Sequence, residues 1–261
     1  MIGIRYIGKK VLDTAESMGS VAILWQKVVT WFFRAGVSPR LVIAQMHEIG
    51  VRSFPVVCLT SLFTGMVLSL QTGLAFSKVF NEPIYVGSVV GLSLVKELGP
   101  VLTALVVAGR VGAAIAAELG TMAVTEQLDA LSTLGTSPVR YLGIPRFIAC
   151  LTMLPLLTIF ADFIGIFGGY FVALIRFHIP PSVFWDDVLA RVQIIHCLHW
   201  VIKSFFFAGI IVTTSCYKGF TCSGGAEGVG LATTSAVVIA MVLILVGDYF
   251  LSSVLVSFGI G

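Results

Sequence analysis

The residues best suited to chemistry lie in one otherwise apolar stretch of the chain. Lys96, Thr103 and Arg110 are spaced seven residues apart, so on a helix they lie close to one line, and Glu97 follows the first of them. Because an ionised side chain at the centre of a bilayer costs about 2.5–3.5 kcal/mol on insertion scales, these charges need a physical reason. Two interpretations stay open. Either the two basic residues reach opposite interfaces or pair with Glu97 and Glu118, or the line faces an internal cavity that receives a charged or zwitterionic head group.

Two single acids and one pair of histidines are the other candidates. Asp162 and Asp248 lie inside apolar segments, where such acids can form proton relays, although a cap or hydrogen bond near a helix end is the simpler interpretation. His196 and His199 have a spacing that could bind a metal, but no acidic third ligand is near in sequence, so a polar cluster with Trp200 is favoured. We expect no metal and no cofactor. No GxxxxGK(S/T) loop occurs, so the chain does not hydrolyse ATP by that chemistry.

The elements that position these residues are predicted to cross a membrane. Of the 261 residues, 57% are hydrophobic and 11% are charged, whereas soluble domains carry about 25% charged residues. This composition excludes a soluble enzyme, a nucleic-acid-binding protein and a disulfide-rich secreted module. Since a spanning helix needs about 20 apolar residues, the sequence predicts an all-α integral membrane protein with five spans, at residues 53–77, 84–117, 147–175, 198–217 and 229–260.

The basic residues predict how these spans are oriented. Cytoplasmic segments of membrane proteins carry an excess of Lys and Arg. With the N-terminus in the cytoplasm, ten of the 16 basic residues lie inside, three lie in outer loops and three lie within spans. We therefore expect the N-terminus inside and the C-terminus outside. The ten are Arg5, Lys9, Lys10, Lys27, Arg34, Arg40, Arg52, Arg140, Arg146 and Lys218; the outer three are Lys78, Arg176 and Arg191; Lys96, Arg110 and Lys203 lie within spans.

The first 52 residues are predicted to form interfacial helices on the cytoplasmic leaflet. Apolar residues from Ile4 to Phe32 recur at spacings of three and four, and the charged residues fall off that stripe, which indicates an amphipathic helix. Contact with the protein's own spans is an equally open alternative to lipid contact. A break at Gly36, Ser38 and Pro39 precedes a short second helix at 40–49. The chain thus divides into an interfacial region, 1–52, and a five-span domain, 53–261.

Small residues predict where helices approach one another closely. The second span has a small residue at every fourth position, and in a bilayer such a ridge serves helix packing by default. The third span contains a GxxxG pattern at Gly165 and Gly169, which predicts a second packing seam. Pro100 should kink the second span next to Lys96 and Glu97. The ridge consists of Ala104, Ala108, Gly112, Ala116 and Gly120.

A short amphipathic helix is predicted after Glu118, in the first large cytoplasmic loop. From Thr125 to Leu131 the helical pattern continues, with Val124, Leu128 and Leu131 on one face and the acids off it. At about 10–14 residues this helix is too short to span the membrane. From composition alone, two interpretations of this helix are equally open: it docks a soluble partner, or it is only part of the loop.

At this point the sequence resembles a known family. The run KELGPVLTALVVAGRVGAAIAAELGTMAVTEQLDAL, residues 96–131, is similar to the signature of the MlaE-type permeases, the membrane subunits of lipid-transporting ABC systems that work with MCE-domain proteins. The resemblance extends to TSLFTGMVLSLQ (60–71), to PRFIACLTMLPLLTIFADFIGIFGG (145–169) and to the closing ATTSAV and GDYFLS segments. It covers residues 45–260, nearly the whole chain.

The resemblance implies an assembly and a set of site residues. It implies a homodimer that encloses a lipid-holding cavity open toward the periplasm, with an ABC ATPase dimer on the cytoplasmic side and a hexameric MCE-protein ring on the other side. The family often has Arg where this chain has Lys96, and lysine lacks bidentate phosphate recognition. The expected cavity residues are Leu62, Met66, Leu70, Gln71, Lys96, Glu97, Thr103 and Arg110. The expected contacts of the cytoplasmic coupling helix with the ATPase are Glu118, Thr125, Glu126, Gln127, Asp129 and Leu131.

Two functional hypotheses follow. The first is the permease subunit of an ABC-type phospholipid transporter in the bacterial inner membrane, with no enzymatic activity of its own, which maintains the lipid asymmetry of the outer membrane. The second is an ion-coupled secondary transporter that uses Glu97, Asp162 and Asp248. A membrane-embedded enzyme is remote because no convergent catalytic motif is present in the sequence.

Overall fold

The computed structural model describes residues 38–79 and 85–259. Within these ranges the regular structure is helical and no strand occurs. The helix predicted between Ile4 and Phe32 lies outside the described residues. The helices are α1 (Pro39–Met46, followed by a π-helical turn, His47–Val51), α2 (Phe54–Val79), α3 (Val86–Val124), α4 (Gln127–Thr133), α5 (Val139–Phe177), α6 (Pro181–Arg191), α7 (Ile194–Phe220) and α8 (Gly225–Ser257).

Five helical stretches in the described ranges are long and apolar enough to cross a membrane, which confirms the all-α membrane fold with five spans. They are Pro39–Lys78, Val86–Val124, Val139–Phe177, Leu198–Phe220 and Gly225–Ser257. The second and third are longer than predicted, because the expected bounds stop next to a charged residue whereas the helix continues through Glu118 on α3 and through Arg140 and Arg146 on α5. Helix α6 was not predicted.

Contacts between helices define the two ends of the bundle. At one end, Glu118 of α3 forms an ion pair with Arg146 of α5, and α4 follows α3 directly. At the other end, the Asp187 carboxylate of α6 accepts the Ser88 N–H at 2.6 Å, near the start of α3. This bond satisfies one of the free N–H groups that every helix start exposes. We refer to these as the α4 end and the α6 end.

Helices α2 and α5 form the most extensive helix pair, and glycines allow their close approach. A Cβ atom added at Gly65 would overlap the carbonyl oxygen of Gly165, and one added at Gly168 would lie 2.5 Å from the carbonyl oxygen of Leu62. At Gly169 it would lie 2.8 Å from Val90 of α3. The seam predicted from the GxxxG pattern is therefore present, because only residues without a side chain fit between these backbones.

The ridge of small residues on α3 packs against α7. Ala104, Ala108 and Ala116 are fully buried. A Cβ atom at Gly112 would lie 3.0 Å from Ser215 Oγ, and one at Gly219 would lie 3.3 Å from the carbonyl oxygen of Ala116. The predicted packing role of this ridge is confirmed.

Two π-helical turns interrupt α3, at Leu94–Leu98 and Ala108–Gly112. The first contains Lys96 and Glu97, and the second contains Arg110. A π turn uses i→i+5 hydrogen bonds and is typical of functional positions. Each π turn also rotates the residues that follow it around the helix axis, so a strict spacing of seven no longer keeps side chains on one line.

Candidate functional site

The charged residues of three helices meet inside the bundle. The Lys203 ammonium of α7 has no solvent exposure and forms ion pairs with Glu97 of α3 and, at 2.7 Å, with Asp248 of α8. Ser252, one turn after Asp248, donates its hydroxyl to Glu97 at 3.3 Å. We call these four residues the ion-pair cluster. Because each helix contributes at least one charge, the cluster joins α3, α7 and α8 at one level of the bundle.

The backbone of α3 explains why Lys203 reaches this position. Pro100 has no N–H, so it cannot make the helical hydrogen bond to the carbonyl oxygen of Lys96. The Lys203 ammonium lies 3.3 Å from that oxygen and donates to it instead. Pro100 thus leaves the Lys96 carbonyl oxygen without its helical donor, and Lys203 of α7 donates to that oxygen instead.

An apolar groove of about 400 Å³ opens along α2 and reaches Leu98 of α3. It is formed mainly by one face of α2, where Phe63 and Val67 are more than half exposed. Leu98, which directly follows Glu97 of the cluster, forms its wall on α3. The groove is therefore mainly apolar, and one of its lining residues, Leu98, is next to the charged Glu97 in sequence. Its lining residues are Phe63, Thr64, Val67, Leu68, Gln71 and Leu98.

Only one of the four cavity residues expected on α2 lines this groove. Gln71 does, whereas Leu62, Met66 and Leu70 are absent from its lining. Leu62 faces Gly168 of α5 at the seam. The groove lies one helical position away from the expected residues, because the glycines and small residues that contact α5 determine which side of α2 remains open.

The line of Lys96, Thr103 and Arg110 is not preserved. Thr103 is 2% exposed and lies in the interior, while Arg110 donates to Ser53 Oγ at 2.7 Å and to the Glu48 carbonyl oxygen at 3.3 Å, on the side of α1. Arg110 is 14 residues from Lys96, a rise of about 20 Å. The structure thus places Glu97 and the backbone carbonyl of Lys96 at Lys203, beside the groove residue Leu98 in sequence, and places Thr103 and Arg110 elsewhere.

The ion pairs differ from those considered for the sequence. Glu97 pairs with Lys203, and the Glu118 carboxylate lies 2.7 Å from the Arg146 guanidinium, so pairing of Lys96 and Arg110 with these two acids is wrong. The Arg146 side chain is 2% exposed. Sequence reasoning gave Lys203 and Arg146 no role. The sequence does contain a feature that indicates a role for Lys203, because a charged residue inside a span is a functional candidate.

The two single acids have different surroundings, and neither caps a helix. Asp248 belongs to the ion-pair cluster, while Asp162 lies near the middle of α5, 6% exposed. The interpretation of both as groups near a helix end is therefore wrong, because α5 and α8 run on for many residues beyond them. His199 is buried one turn before Lys203. Partial burial, and then the charge of Lys96, lower the pKa of His196 at the start of α7.

At the α4 end, the expected coupling residues form an exposed surface. Glu126, Gln127 and Asp129 are exposed, Leu128 is buried against the bundle, and Leu131 is half-buried. The helix does not continue from α3 as predicted. Glu126 has a left-handed backbone, with φ of 59°, which ends α3 and starts the seven-residue α4. Thr125 is also exposed, and its hydroxyl donates to the Thr121 carbonyl oxygen at 2.7 Å. Glu118, whose side chain is 58% exposed, lies on α3 and pairs with Arg146 of α5.

The chain is similar to known permease proteins. The family model described as Permease MlaE matches residues 42–254. A probable ABC transporter permease protein of Rickettsia felis is 42% identical over 94% of this chain and 95% of that protein. A probable ABC transporter permease protein of Synechocystis is 40% identical over 90% of this chain and 93% of that protein. The protein TRIGALACTOSYLDIACYLGLYCEROL 1, chloroplastic, of Arabidopsis thaliana is 39% identical over 90% of this chain and 67% of its own length.

Proposed function

Because the chain belongs to the MlaE permease family, we propose that it is the membrane subunit of an ABC-type transporter that moves phospholipid between the bacterial inner membrane and a periplasmic MCE-domain carrier. Such transport helps to keep the outer membrane asymmetric. The Arabidopsis thaliana relative is named after a lipid, trigalactosyldiacylglycerol, which supports a lipid substrate. ATP hydrolysis belongs to a separate subunit, since the chain has no phosphate-binding loop of the GxxxxGK(S/T) type.

The observation that carries this proposal is the position of the apolar groove beside the ion-pair cluster. A phospholipid joins apolar tails to a charged head group, and the groove offers surfaces of both kinds within one site. Leu98 lines the groove and the adjacent Glu97 belongs to the cluster, so tails in the groove place a head group near the charges. Gln71 adds a polar side chain at the same site.

The charges of the cluster favour a zwitterionic head group. Lys203 carries one positive charge, whereas Glu97 and Asp248 carry two negative charges when both are ionised. A local excess of negative charge attracts a cation, which the ammonium of a head group supplies. Lys96 is half-buried and forms no ion pair within the described residues, so it is available to the phosphate as a point charge.

The open side of the groove supports a homodimer. The exposed face of α2 is apolar along its length, with Leu59, Phe63, Val67 and Leu74 each more than two-fifths exposed. A groove lined on one side only does not shield a lipid from water or from the bilayer. A second copy of the chain would close it and form the cavity between two protomers.

The α4 end is the proposed contact with the ATPase. Its exposed acids, Glu126 and Asp129, lie on a short helix beyond the spans. Closure of the ATPase dimer would move α4, and α3 would carry that movement to Glu97. With the α4 end in the cytoplasm, the α6 end and the MCE carrier lie on the periplasmic side.

The test is to express the chain together with ABC ATPase and MCE-domain proteins of the same organism and to reconstitute the purified complex in phospholipid vesicles. We expect the ATPase to co-purify, phospholipid to stimulate ATP hydrolysis, and labelled phospholipid to pass to or from the MCE protein only with ATP. A matched variant, Phe63→Glu in the groove, should retain assembly and lose transport, because a charge there repels acyl chains. The control Val256→Glu lies outside the groove and should retain transport.

The same vesicles test the ion-coupled alternative. That hypothesis predicts transport driven by a proton gradient without ATP, and loss of coupling in Asp162→Asn or Asp248→Asn. Purification without an ATPase, together with gradient-driven transport, would overturn the proposed function.

A further inference from the structure

Asp162 is a buried acid that the ion-pair cluster does not use. It is 6% exposed, near the middle of α5, and its Oδ1 has no hydrogen-bond donor. Among the described acids inside the bundle, Glu97 and Asp248 share Lys203, whereas Asp162 has no cation partner in that part of the chain. A buried ionised carboxylate without a partner is strongly unfavourable.

The Asp162 carboxyl group occupies a notch in α3. A Cβ atom added at Gly99 would overlap Asp162 Oδ1 and would lie 2.9 Å from the carbonyl oxygen of Leu94. The two oxygens therefore converge on the same small space, which exists because residue 99 has no side chain. This space lies at the end of the π turn Leu94–Leu98, two residues after Glu97.

Two oxygens that converge in an apolar interior need a proton between them. An ionised carboxylate only accepts hydrogen bonds, whereas a protonated carboxyl group has one O–H donor. The carbonyl oxygen of Leu94 already accepts the Gly99 N–H, and its second lone pair remains available. We infer that Asp162 carries a proton, donates it in a hydrogen bond to the Leu94 carbonyl oxygen, and so acts as the positioning residue that holds the π turn and Glu97 in place.

Residues near Asp162 form hydrogen bonds that connect this part of α5 to α2 and α7. The Ser61 hydroxyl of α2 donates to the carbonyl oxygen of Ala161. One turn earlier on α5, the Thr158 hydroxyl accepts a hydrogen bond from Ser204 of α7 at 3.3 Å. Ser204 follows Lys203, whose charge is engaged by Glu97 and Asp248 and is not directed at Asp162. The bond from Asp162 would thus complete a polar crossing of α2, α3, α5 and α7 beside the cluster.

The inference rests on the proposed function only where transport is measured. Infrared spectroscopy provides a second measurement that does not depend on transport. In the full chain at neutral pH, we expect the carbonyl band of a protonated carboxylic acid, absent in Asp162→Asn and retained in the control Asp186→Asn, an exposed acid on α6. Absence of this band from the unmodified protein, or its persistence in Asp162→Asn, would overturn the inference.

Transport by the complete complex gives the second readout. Asp162→Asn should retain transport, because the amide also donates to Leu94 and carries no charge. Asp162→Ala should lower transport about tenfold, the equivalent of about 1.4 kcal/mol. Gly99→Ala keeps the acid and fills its notch, so it should lower transport to a similar extent.

If Asp162→Asn assembles normally and yet transports as poorly as Asp162→Ala, the positioning role is wrong. If Asp162→Ala does not assemble, the infrared band and transport by the Asp162→Asn variant test the inference without it. Failure of the proposed function has a different signature: the unmodified complex itself would not move lipid with ATP, whatever the infrared spectrum shows.

Discussion

At the scale of single residues, the chemistry of this protein depends on Lys203. Its ammonium is fully buried, whereas the side chains of its partners Glu97 and Asp248 are 42% and 20% exposed. Removal of one partner from a buried ion pair leaves an uncompensated charge and is far more costly than loss of a surface pair. The two acids would then repel each other across the space that the ammonium fills.

The first prediction is that Lys203→Met lowers the free energy of unfolding by about 3 kcal/mol. Denaturant unfolding of the detergent-solubilised protein measures this change. Lys218→Met is the matched control on the same helix, because Lys218 forms no ion pair within the described residues. Equal effects of the two substitutions would contradict the central role of Lys203.

At the scale of elements, the seam between α2 and α5 determines which face of α2 is left for the groove. Gly65, Gly165 and Gly168 bring the two backbones into contact. In a bilayer, helices associate through close packing and interhelical hydrogen bonds, since lipid is as apolar as the side chains themselves. This seam therefore contributes to stability and also fixes the orientation of Phe63 and Val67.

The second prediction is that Gly65→Ala destabilises the protein by about 1–3 kcal/mol, because the added methyl group overlaps the Gly165 carbonyl oxygen. Thermal unfolding in detergent measures the effect. At Gly230 on α8 a Cβ atom would meet no atom within 4 Å, so Gly230→Ala should be neutral or slightly stabilising. A neutral Gly65→Ala would show that the seam is not close-packed.

The third prediction concerns α4. The double substitution Glu126→Lys and Asp129→Lys should abolish association with the ATPase and leave membrane insertion intact, because both side chains are exposed at the α4 end. Co-purification measures association. Asp186→Lys, at the α6 end, should have no effect on it. Retained association of the double variant would remove α4 from the ATPase contact.

At the scale of the whole molecule, the outer surface of the bundle is largely apolar. Helix α8 shows this most clearly, since Val238, Val242, Leu245 and Phe250 are each about half exposed or more. Such a surface fits a bilayer, or a second protomer, better than water. With five candidate spans, we expect the two ends of the described chain on opposite sides of the membrane.

The fourth prediction tests this orientation. In a variant without native cysteines, a cysteine at Asp186 should react with a membrane-impermeant maleimide added from the periplasmic side, because α6 is expected outside. A cysteine at Thr133, exposed on α4, should react only after the membrane is permeabilised. The reverse pattern would invert the proposed orientation, and with it the side assigned to the ATPase.

Much of this molecule follows from local sequence alone. Composition and apolar run length require five spanning helices, since backbone polar groups in a bilayer must bond within their own helix. Small residues at Ala104, Gly112 and Gly165 predict close helix contacts, because that property depends only on side-chain size. The resemblance also identified the family that the comparisons confirm.

Only the tertiary structure determined which charged residues pair with one another. Glu97 and Asp248 could be recognised as unusual charges, yet their common partner lies on α7, far away in sequence from Glu97. The open face of α2 and the interior position of Thr103 depend on how the seam and two π turns rotate each helix, and no local pattern encodes that rotation. Sequence by itself therefore determined which residues enter the membrane, while only the packed bundle determined which of them meet, because pairing between distant residues is a property of helix rotation and contact.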